Sequence, residues 1–541
     1  MSENKLKQKS RNNLATLAMA GFVAAIMIAS IFFIVPVQRS SQLLYFDENG
    51  DLVYGLYANK GEYEKINKIP DYSFAGYKMG GQALPEVPTK MELEPQDGDD
   101  TQRIQNAIDS VSSLPLVNGF RGALLLKRGY YEIDSVLNIT TSGVVIRGEG
   151  QGEKGTVMET FIEGTEDSSL GELMQLSAIK IAGDGTGLTE IDGSQRSIVS
   201  KDVPTGSKEF ELNSTMGLTP GDDIVVVKTP NQDWIDSLEM NMEDWGDHAN
   251  PWTPGSYTIK HERTITRVKG NKVTIDIPIV DNMQQKYGGG YVAVLNEVGR
   301  IENCGVENMR LVSDYDSSED ELHAWDAIRL IRTCNSWVKS VTAKYFAYAC
   351  VHISSQSNFN TVQDCAMLDP ISQATGGRRY SFVVDGGLGN LFQRCYSRSG
   401  RHDFVAQARI TGPNVWLDCL RDRPLSDNGP HHRWSTGNLF DSVKGGELNV
   451  RDRGDSGTGH GWAAGQTMFW NCYSPNSGFK CYSPPGHMNW AIGCRGISIE
   501  GDGWIENWNE NIRPRSLYLA QLKDRLGEEA VNNITISQQR E

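Results

Sequence analysis

Asn390-Leu391-Phe392-Gln393-Arg394-Cys395 and Asn414-Val415-Trp416-Leu417-Asp418-Cys419 are one phrase written twice. Each opens on Asn, sets a large apolar residue three before the end, and closes on Cys. The phrase recurs at 360–365 and 489–494, and with Ser in the last place at 335–340. Weaker copies close on Met309, Ser442 and Cys472. The closing positions are therefore 309, 340, 365, 395, 419, 442, 472 and 494, spaced by 22 to 31 residues. A recurrence of that length is the signature of a solenoid. The repeats are β-prone, bounded by Gly, Asn and Asp, and show no helical period, so stacked β-rungs are expected rather than helical hairpins.

Within the phrase, the position three before the end holds Val306, Trp337, Val362, Phe392, Trp416, Leu439, Phe469 and Ala491. The next-to-last position is polar or small throughout: Asn308, Lys339, Asp364, Arg394, Asp418, Asp441, Asn471 and Gly493. Side chains on a strand alternate between faces. The apolar row and the closing Cys row therefore share an interior only if a turn breaks the phase between them. The Asn row (335, 360, 390, 414, 489) suits a tight turn in which each amide bonds its neighbour in the next rung. The nine cysteines, Cys304, 334, 350, 365, 395, 419, 472, 481 and 494, follow this rung spacing and read as buried thiols that pack as small hydrophobes.

These features resemble the pectate lyase superfamily, whose right-handed β-helices carry asparagine ladders of this kind. The N-terminal part is similar too. Residues 98–109 (GDDTQRIQNAID) look like that family's opening helix, 122–126 and 129–131 like its first strands, and 142–148 like the next rung. The resemblance covers roughly 95–155 and 300–500. It implies an all-β, right-handed parallel β-helix with an N-terminal capping helix, which covers a strand edge that would otherwise aggregate. Residues 200–290 fall outside the rungs and read as a β-rich insertion. Its strands lie near 221–227 and 273–277, with a Trp-rich loop of Trp234, Trp245 and Trp252 between them. A helix around 516–526 reads as part of a short C-terminal arm. The expected organisation is a signal-anchor at 1–40, an extended segment at 41–94, the start of the coil at 95–199, the insertion at 200–290, the main rungs at 291–500 and the arm at 501–541.

Lys5, Lys7, Lys9 and Arg11 precede an uncharged apolar run from Leu14 to Val37, long enough to span a bilayer. No small-x-small cleavage site closes it, so an uncleaved membrane anchor is favoured over a cleaved signal. Either way the rest of the chain lies outside the cytoplasm: anchored with the coil in the periplasm or beyond the cell, or secreted. With 541 residues, 39% hydrophobic and 22% charged, the chain is globular. Its net charge of −16 excludes non-specific nucleic-acid binding, though a local Arg/His cleft still holds an anion such as an acidic polysaccharide.

Counting back 17 residues from the closing positions 340, 365, 395 and 419 reaches His323, Tyr348, Arg378 and His402. Arg379-Tyr380-Ser381-Phe382 aligns with Arg401-His402-Asp403-Phe404, which stacks Tyr380 on His402 about 4.8 Å apart. His431-His432-Arg433-Trp434 and Gly459-His460-Gly461-Trp462 follow. Such a row suits β-elimination from a uronate. Arg neutralises the carboxylate, a base removes the adjacent C5 proton, and an acid protonates the departing O4. His402 and Tyr380 are the leading base and acid, Arg379 and Arg401 the neutralising pair, and His432 and Arg433 the second candidates. Arg beside Tyr380 favours tyrosinate. Arg378, His323, Tyr348, Trp434, His460 and Trp462 are the substrate-binding candidates, with the two Trp rings read either as sugar platforms or as interior packing.

The plain alternatives stand beside these. A His on a rung is ordinarily a hydrogen-bonded turn residue, and Arg378 and Arg379 have Asp369 and Asp385 as candidate partners. A glycoside hydrolase on the same scaffold needs facing carboxylates, for which Asp326, Asp369, Asp385 and Asp403 are available. A uronate epimerase needs much the same groups as a lyase, and a non-catalytic glycan-binding surface protein needs none. No metal ligand set is assigned. Calcium stays open, because 314–321 (DYDSSEDE) is rich in carboxylates but lacks EF-hand spacing, and a solvated turn is the simpler reading. There is no P-loop, zinc HExxH or GxSxG motif.

Overall fold

The computed structural model describes residues 39–164, 166–167, 172–173, 176–242, 246, 250–296 and 299–540. The run from Leu14 to Val37 and Trp245 lie outside the described residues. Among those described, no helix is long and apolar enough to cross a membrane.

The chain is mostly β, and its long sheets are parallel. One sheet joins Gly122–Leu126, Val144–Arg147, Thr361–Gln363, Leu391–Gln393, Thr411–Leu417, Ser435–Asp441, Ala464–Trp470, Trp490–Ile492 and Trp504–Glu506. A second runs through Ala366–Leu368, Tyr396–Arg398 and Leu420–Asp422. A third stacks Leu137–Ile139, Ser177–Ala182, Asp326–Ile331, Ala349–Ser354, Phe382–Asp385, Phe404–Ala406 and Gly429–Pro430. The long strands Gly305–Ser313 and Trp337–Lys344 serve the first two sheets at once.

The phase break demanded by the Cys row is a single left-handed residue at the corner between the first two sheets. Asn308, Ser340, Asp364, Arg394, Asp418, Ser442 and Asn471 all have φ between 49° and 58°. Asn and Asp tolerate this region better than other L-residues, which explains the polar next-to-last position. The corner lets Phe392 and Cys395, three residues apart, both point inward.

Register corrects two of the eight phrases by one residue. The interior row is Val306, Val338, Val362, Phe392, Trp416, Phe440, Phe469 and Ala491, so Trp337 and Leu439 do not belong to it. The closing row takes Val341 and Val443 in place of Ser340 and Ser442. The slip has a physical cause: the outer face of the first sheet is apolar as well. Trp337 packs there with Tyr77, Val87 and Val145, and Leu439 packs with Leu43, Tyr57, Trp470 and Leu517. With both faces covered, polar–apolar alternation no longer marks the inside. Phe392, Trp416 and Phe440 stack in the core at 5.6 and 4.7 Å, with their rings nearly parallel.

The Asn ladder is shifted in the same way. Ser336, not Asn335, opens its rung and donates its N–H to Asn360 Oδ1 at 3.0 Å. Asn360 N–H donates to Asn390 Oδ1 at 3.1 Å, and Asn390 N–H to Asn414 Oδ1 at 3.0 Å. Asn390→Ala leaves two buried Asn360 donors without their acceptor. It is expected to cost about 2–3 kcal/mol, checked by denaturant unfolding. All nine cysteines are free thiols, and burial raises the pKa of Cys365 and Cys395 well above the usual thiol value.

Helix Thr101–Ser112 buries Ile104, Ala107, Ile108 and Val111 in the core of the first rungs. Residues 189–296 carry an antiparallel sheet including Asp223–Lys228, Ile259–Lys269, Lys272–Ile275 and Gly290–Asn296. Helix Leu517–Leu526, capped by the Ser516 hydroxyl, lays Leu517, Tyr518 and Leu522 on the outer face of the first sheet.

Candidate functional site

Tyr380 and His402 each sit two residues before equivalent strands of the third sheet, where Phe382 pairs with Phe404. Their rings lie edge to face with centroids 5.0 Å apart, close to the spacing that the alignment predicts. His431 follows Gly429–Pro430 one rung on, and its N–H donates to Ala406 O at 2.8 Å. Its ring is the hub of the cluster, with centroids 4.7 Å from His402, 5.3 Å from Tyr380, 5.2 Å from His432 and 5.1 Å from His460. The turn at Ser456–Gly459 brings His460 in. Gly457 has φ +61°, and a Cβ there would stand 2.4 Å from His460 Cε1, so glycine is required on two counts.

Hydrogen bonds fix the protons. His402 Nδ1 donates to the Asp427 carbonyl oxygen at 2.7 Å, which leaves Nε2 as the unprotonated nitrogen. Arg453 donates to His431 Nδ1 at 3.3 Å, so His431 carries its proton on Nε2 and donates to Tyr380 Oη at 2.9 Å. Arg401 also donates to Tyr380 Oη, at 3.5 Å. With two donors on its oxygen, Tyr380 keeps its own hydroxyl proton free to give.

Every imidazole of the cluster is neutral. Burial holds His402 down to about 4, His432 to about 3 and His460 to about 4, and His431 well below its ordinary value. The neighbouring Arg401, Arg433 and Arg453 push in the same direction. For Tyr380 burial raises the pKa and outweighs Arg401, so the group is a phenol, against the tyrosinate expected from the sequence. Asp427 is held at about 2 despite its burial, by His402 and Arg453. Arg453 pairs with it at 3.1 Å.

Tyr380 and His402 are only 2% and 1% exposed, and form a layer behind the surface. His432, His460, Arg401 and Arg433 are partly exposed and form the layer in front. Arg433 donates to Thr458 O and Oγ1 at 2.6 Å, and Arg409 donates to Ser256 O at 3.0 Å. Among the described residues, none of Arg401, Arg409 and Arg433 pairs with a carboxylate.

Other residues singled out in the sequence lie elsewhere. Arg378 forms a two-pronged pair with Glu321 at 2.7 and 2.8 Å, rather than with Asp369 or Asp385. Arg379 donates to the Ser372 carbonyl oxygen. His323 is satisfied at both nitrogens, by Ser313 Oγ at 2.8 Å and Ile371 O at 2.9 Å, and so acts as a turn residue. Trp434 is fully buried against Trp234 and Trp252, with Nε1 donating to Asp281 at 2.9 Å, so it is interior packing and not a sugar platform. Trp462 packs against the same cluster and donates to Leu238 O. Tyr348 does join the row, 5.2 Å from Tyr380. In 314–321, Asp320 accepts from the N–H groups of Asp316 and Leu322, and Glu321 is held by Arg378.

Sequence reasoning missed His431 as the hub, and Asp427 and Arg453 entirely. The His431–His432 doublet was a signal for the first. Asp427 and Arg453 lie in loops of unequal length, where rung counting loses register.

No protein-family model matches the chain, and no curated protein matches it in sequence. Several solved structures match the chain at a distance. The tailspike protein gp49 from Pseudomonas phage LKA1 is 12% identical, with a TM-score of 0.37 over 76% of this chain and 74% of that one. A tailspike of E. coli bacteriophage HK620, in complex with a pentasaccharide, is 9% identical, with a TM-score of 0.38 over 77% of this chain and 63% of that one. The A-module of a mannuronan C-5 epimerase from Azotobacter vinelandii is 11% identical, with a TM-score of 0.31 over 76% and 85%. No activity is carried over from likenesses this distant.

Proposed function

We propose that the chain is a right-handed parallel β-helix of the pectate-lyase-like kind that cleaves an acidic, uronate-containing glycan by β-elimination outside the cytoplasm. The observation that carries this reading is a front of arginines that, among the described residues, have no carboxylate partners, over neutral imidazoles. Arg401 and Arg433 would receive the substrate carboxylate and so lower the pKa of the C5 proton. His460, the most open imidazole, takes that proton, with His432 5.0 Å away. The C5–H electrons form the C4=C5 double bond as the C4–O4 bond breaks, and the imidazolium returns the proton to O4. The arginine charges that depress His460 are offset when the anion binds, so its basicity rises where it is needed. His431 packs against the His432 and His460 rings from behind, with Tyr380 and His402 beyond it. This moves the first roles from His402 and Tyr380, which are sealed from solvent, to His460 and His432.

A hydrolase is less well supported. Asp403 is locked to Arg421, Asp369 to Arg398, and Asp326 is fully buried. An epimerase would share the base and arginines but release no new chain end.

The test is incubation of the chain lacking residues 1–38 with pectate, alginate, ulvan and glycosaminoglycans, reading unsaturated-uronate absorbance beside reducing ends. Both signals are expected to rise together and to fall about 100-fold or more in His460→Ala and in Arg401→Ala, with folding intact by circular dichroism. Reducing ends without absorbance would establish hydrolysis, and neither signal on any polymer would sink the enzymatic reading.

A further inference from the structure

Beyond Tyr348 the row changes sign. His352 lies 5.3 Å from Tyr348, ring to ring, and stands between two carboxylates. Its Nδ1 is 3.2 Å from Asp326 Oδ2, and its Nε2 is 3.7 Å from Asp385 Oδ2. Gln407, beside Asp385 in the next rung, donates to Tyr348 Oη at 3.1 Å. Burial raises the pKa of Tyr348, and the nearby Asp385 and Asp326 charges add to the rise.

Two buried polar atoms here, Asp326 Oδ1 and Gln407 Oε1, have no hydrogen-bond partner among the described residues, and His352 Nε2 has only its 3.7 Å approach to Asp385. Their residues are 0%, 8% and 6% exposed. Asp385, 46% exposed at its side chain, forms the rim. Unpaired buried polar atoms are costly and point to a ligand that satisfies them. Asp326, Gln407 and Asp385 all offer acceptor oxygens. A carboxylate or sulfate brings no donor to these and is repelled by Asp385; a sugar hydroxyl brings one donor each. A metal cation would also suit acceptors. Burial lowers the pKa of His352, but the two carboxylates outweigh it and the net shift is upward.

We infer that Asp326, His352, Asp385 and Gln407 form a second subsite that takes an uncharged sugar of the same glycan, a few units along from the uronate held at Arg401 and Arg433. The strand bearing His352 is three rungs from the one preceding His431, about 14 Å along the coil, a distance that a glycan covers in a few sugar units. The preferred substrate is thus a heteroglycan that contains both uronates and neutral sugars, as alternating polymers do, not a homopolyuronate. This rests on the lyase reading for the uronate end only.

The test compares polygalacturonate with hyaluronan and with unsulfated chondroitin, whose uronates alternate with neutral N-acetylhexosamines. Affinity electrophoresis reads binding and absorbance at the unsaturated uronate reads cleavage, each with and without EDTA. Wild type is expected to bind the alternating polymers about tenfold or more tightly than polygalacturonate, and Asp385→Asn to narrow that gap from the polygalacturonate side. Equal binding of the two classes, or a preference unchanged in Asp385→Asn, would overturn the subsite. Loss of the preference in EDTA would overturn it too, assigning the acceptors to a cation. A binding preference without absorbance on any polymer would retain the subsite and sink the lyase reading instead.

Discussion

Asp403→Ala is expected to lower stability by about 3–5 kcal/mol, a larger loss than any single surface change would produce. Asp403 and Arg421 form an ion pair at 2.7 Å with side chains 1% and 0% exposed. The pair lies inside the coil. The inward row of the second sheet runs Leu311, Ala343, Met367, Ser397, Arg421, so the charge enters where apolar side chains have packed before. Asp403 also accepts from Ser381 Oγ at 2.6 Å and from Ser397 Oγ. Removing it strands a buried guanidinium. Arg421 further donates to Arg401 O at 3.2 Å and Ser426 O at 2.8 Å, so it braces the loops that carry Arg401, His402 and Asp427. Equilibrium unfolding checks the loss. The double variant Asp403→Ala/Arg421→Met is expected to recover most of it, because the cost lies in the unpaired charge. A single variant as stable as wild type would show that water reaches the pair.

Acidification should unfold the protein well above the pH at which its carboxylates titrate. The unfolded chain binds a proton at each histidine near pH 6.5, whereas folded His402 resists to about 4 and His432 to about 3. A folded-state pKa below the unfolded one means stability that is fully present above pH 6.5 and is lost as pH falls from there toward 4. For His402 alone the loss is about 3 kcal/mol across that window. His431, His261 and His487, all pushed well below the ordinary value by burial, add in the same direction. His352 opposes them, since its raised pKa contributes stability below 6.5 that is lost as pH rises. The melting temperature should therefore fall steeply between pH 6.5 and 4, and the slope should be shallower in His402→Gln. A flat profile down to pH 5 would show that the imidazoles are charged in the folded protein.

Asp427 and Arg453 illustrate why the site was only half legible. The Tyr380–His402 stack followed from rungs of nearly equal length, because equal spacing makes sequence offset a measure of spatial offset. From His402 to His460 the turns differ in length, and which nitrogen of His431 carries the proton depends on Arg453, 22 residues away. No counting rule reaches that.

The sequence by itself determined the stacked parallel rungs, because a recurring phrase of Asn, apolar residue and Cys can bury its apolar row only by stacking on its own copies. Tertiary structure decided the rest. It placed Trp337, Leu439 and Trp434 by covering the outer faces of the coil, which erased the alternation that would have marked inside from outside. It also set the protonation of the His cluster, because burial against arginines, invisible in a linear string, determines which imidazoles stay neutral.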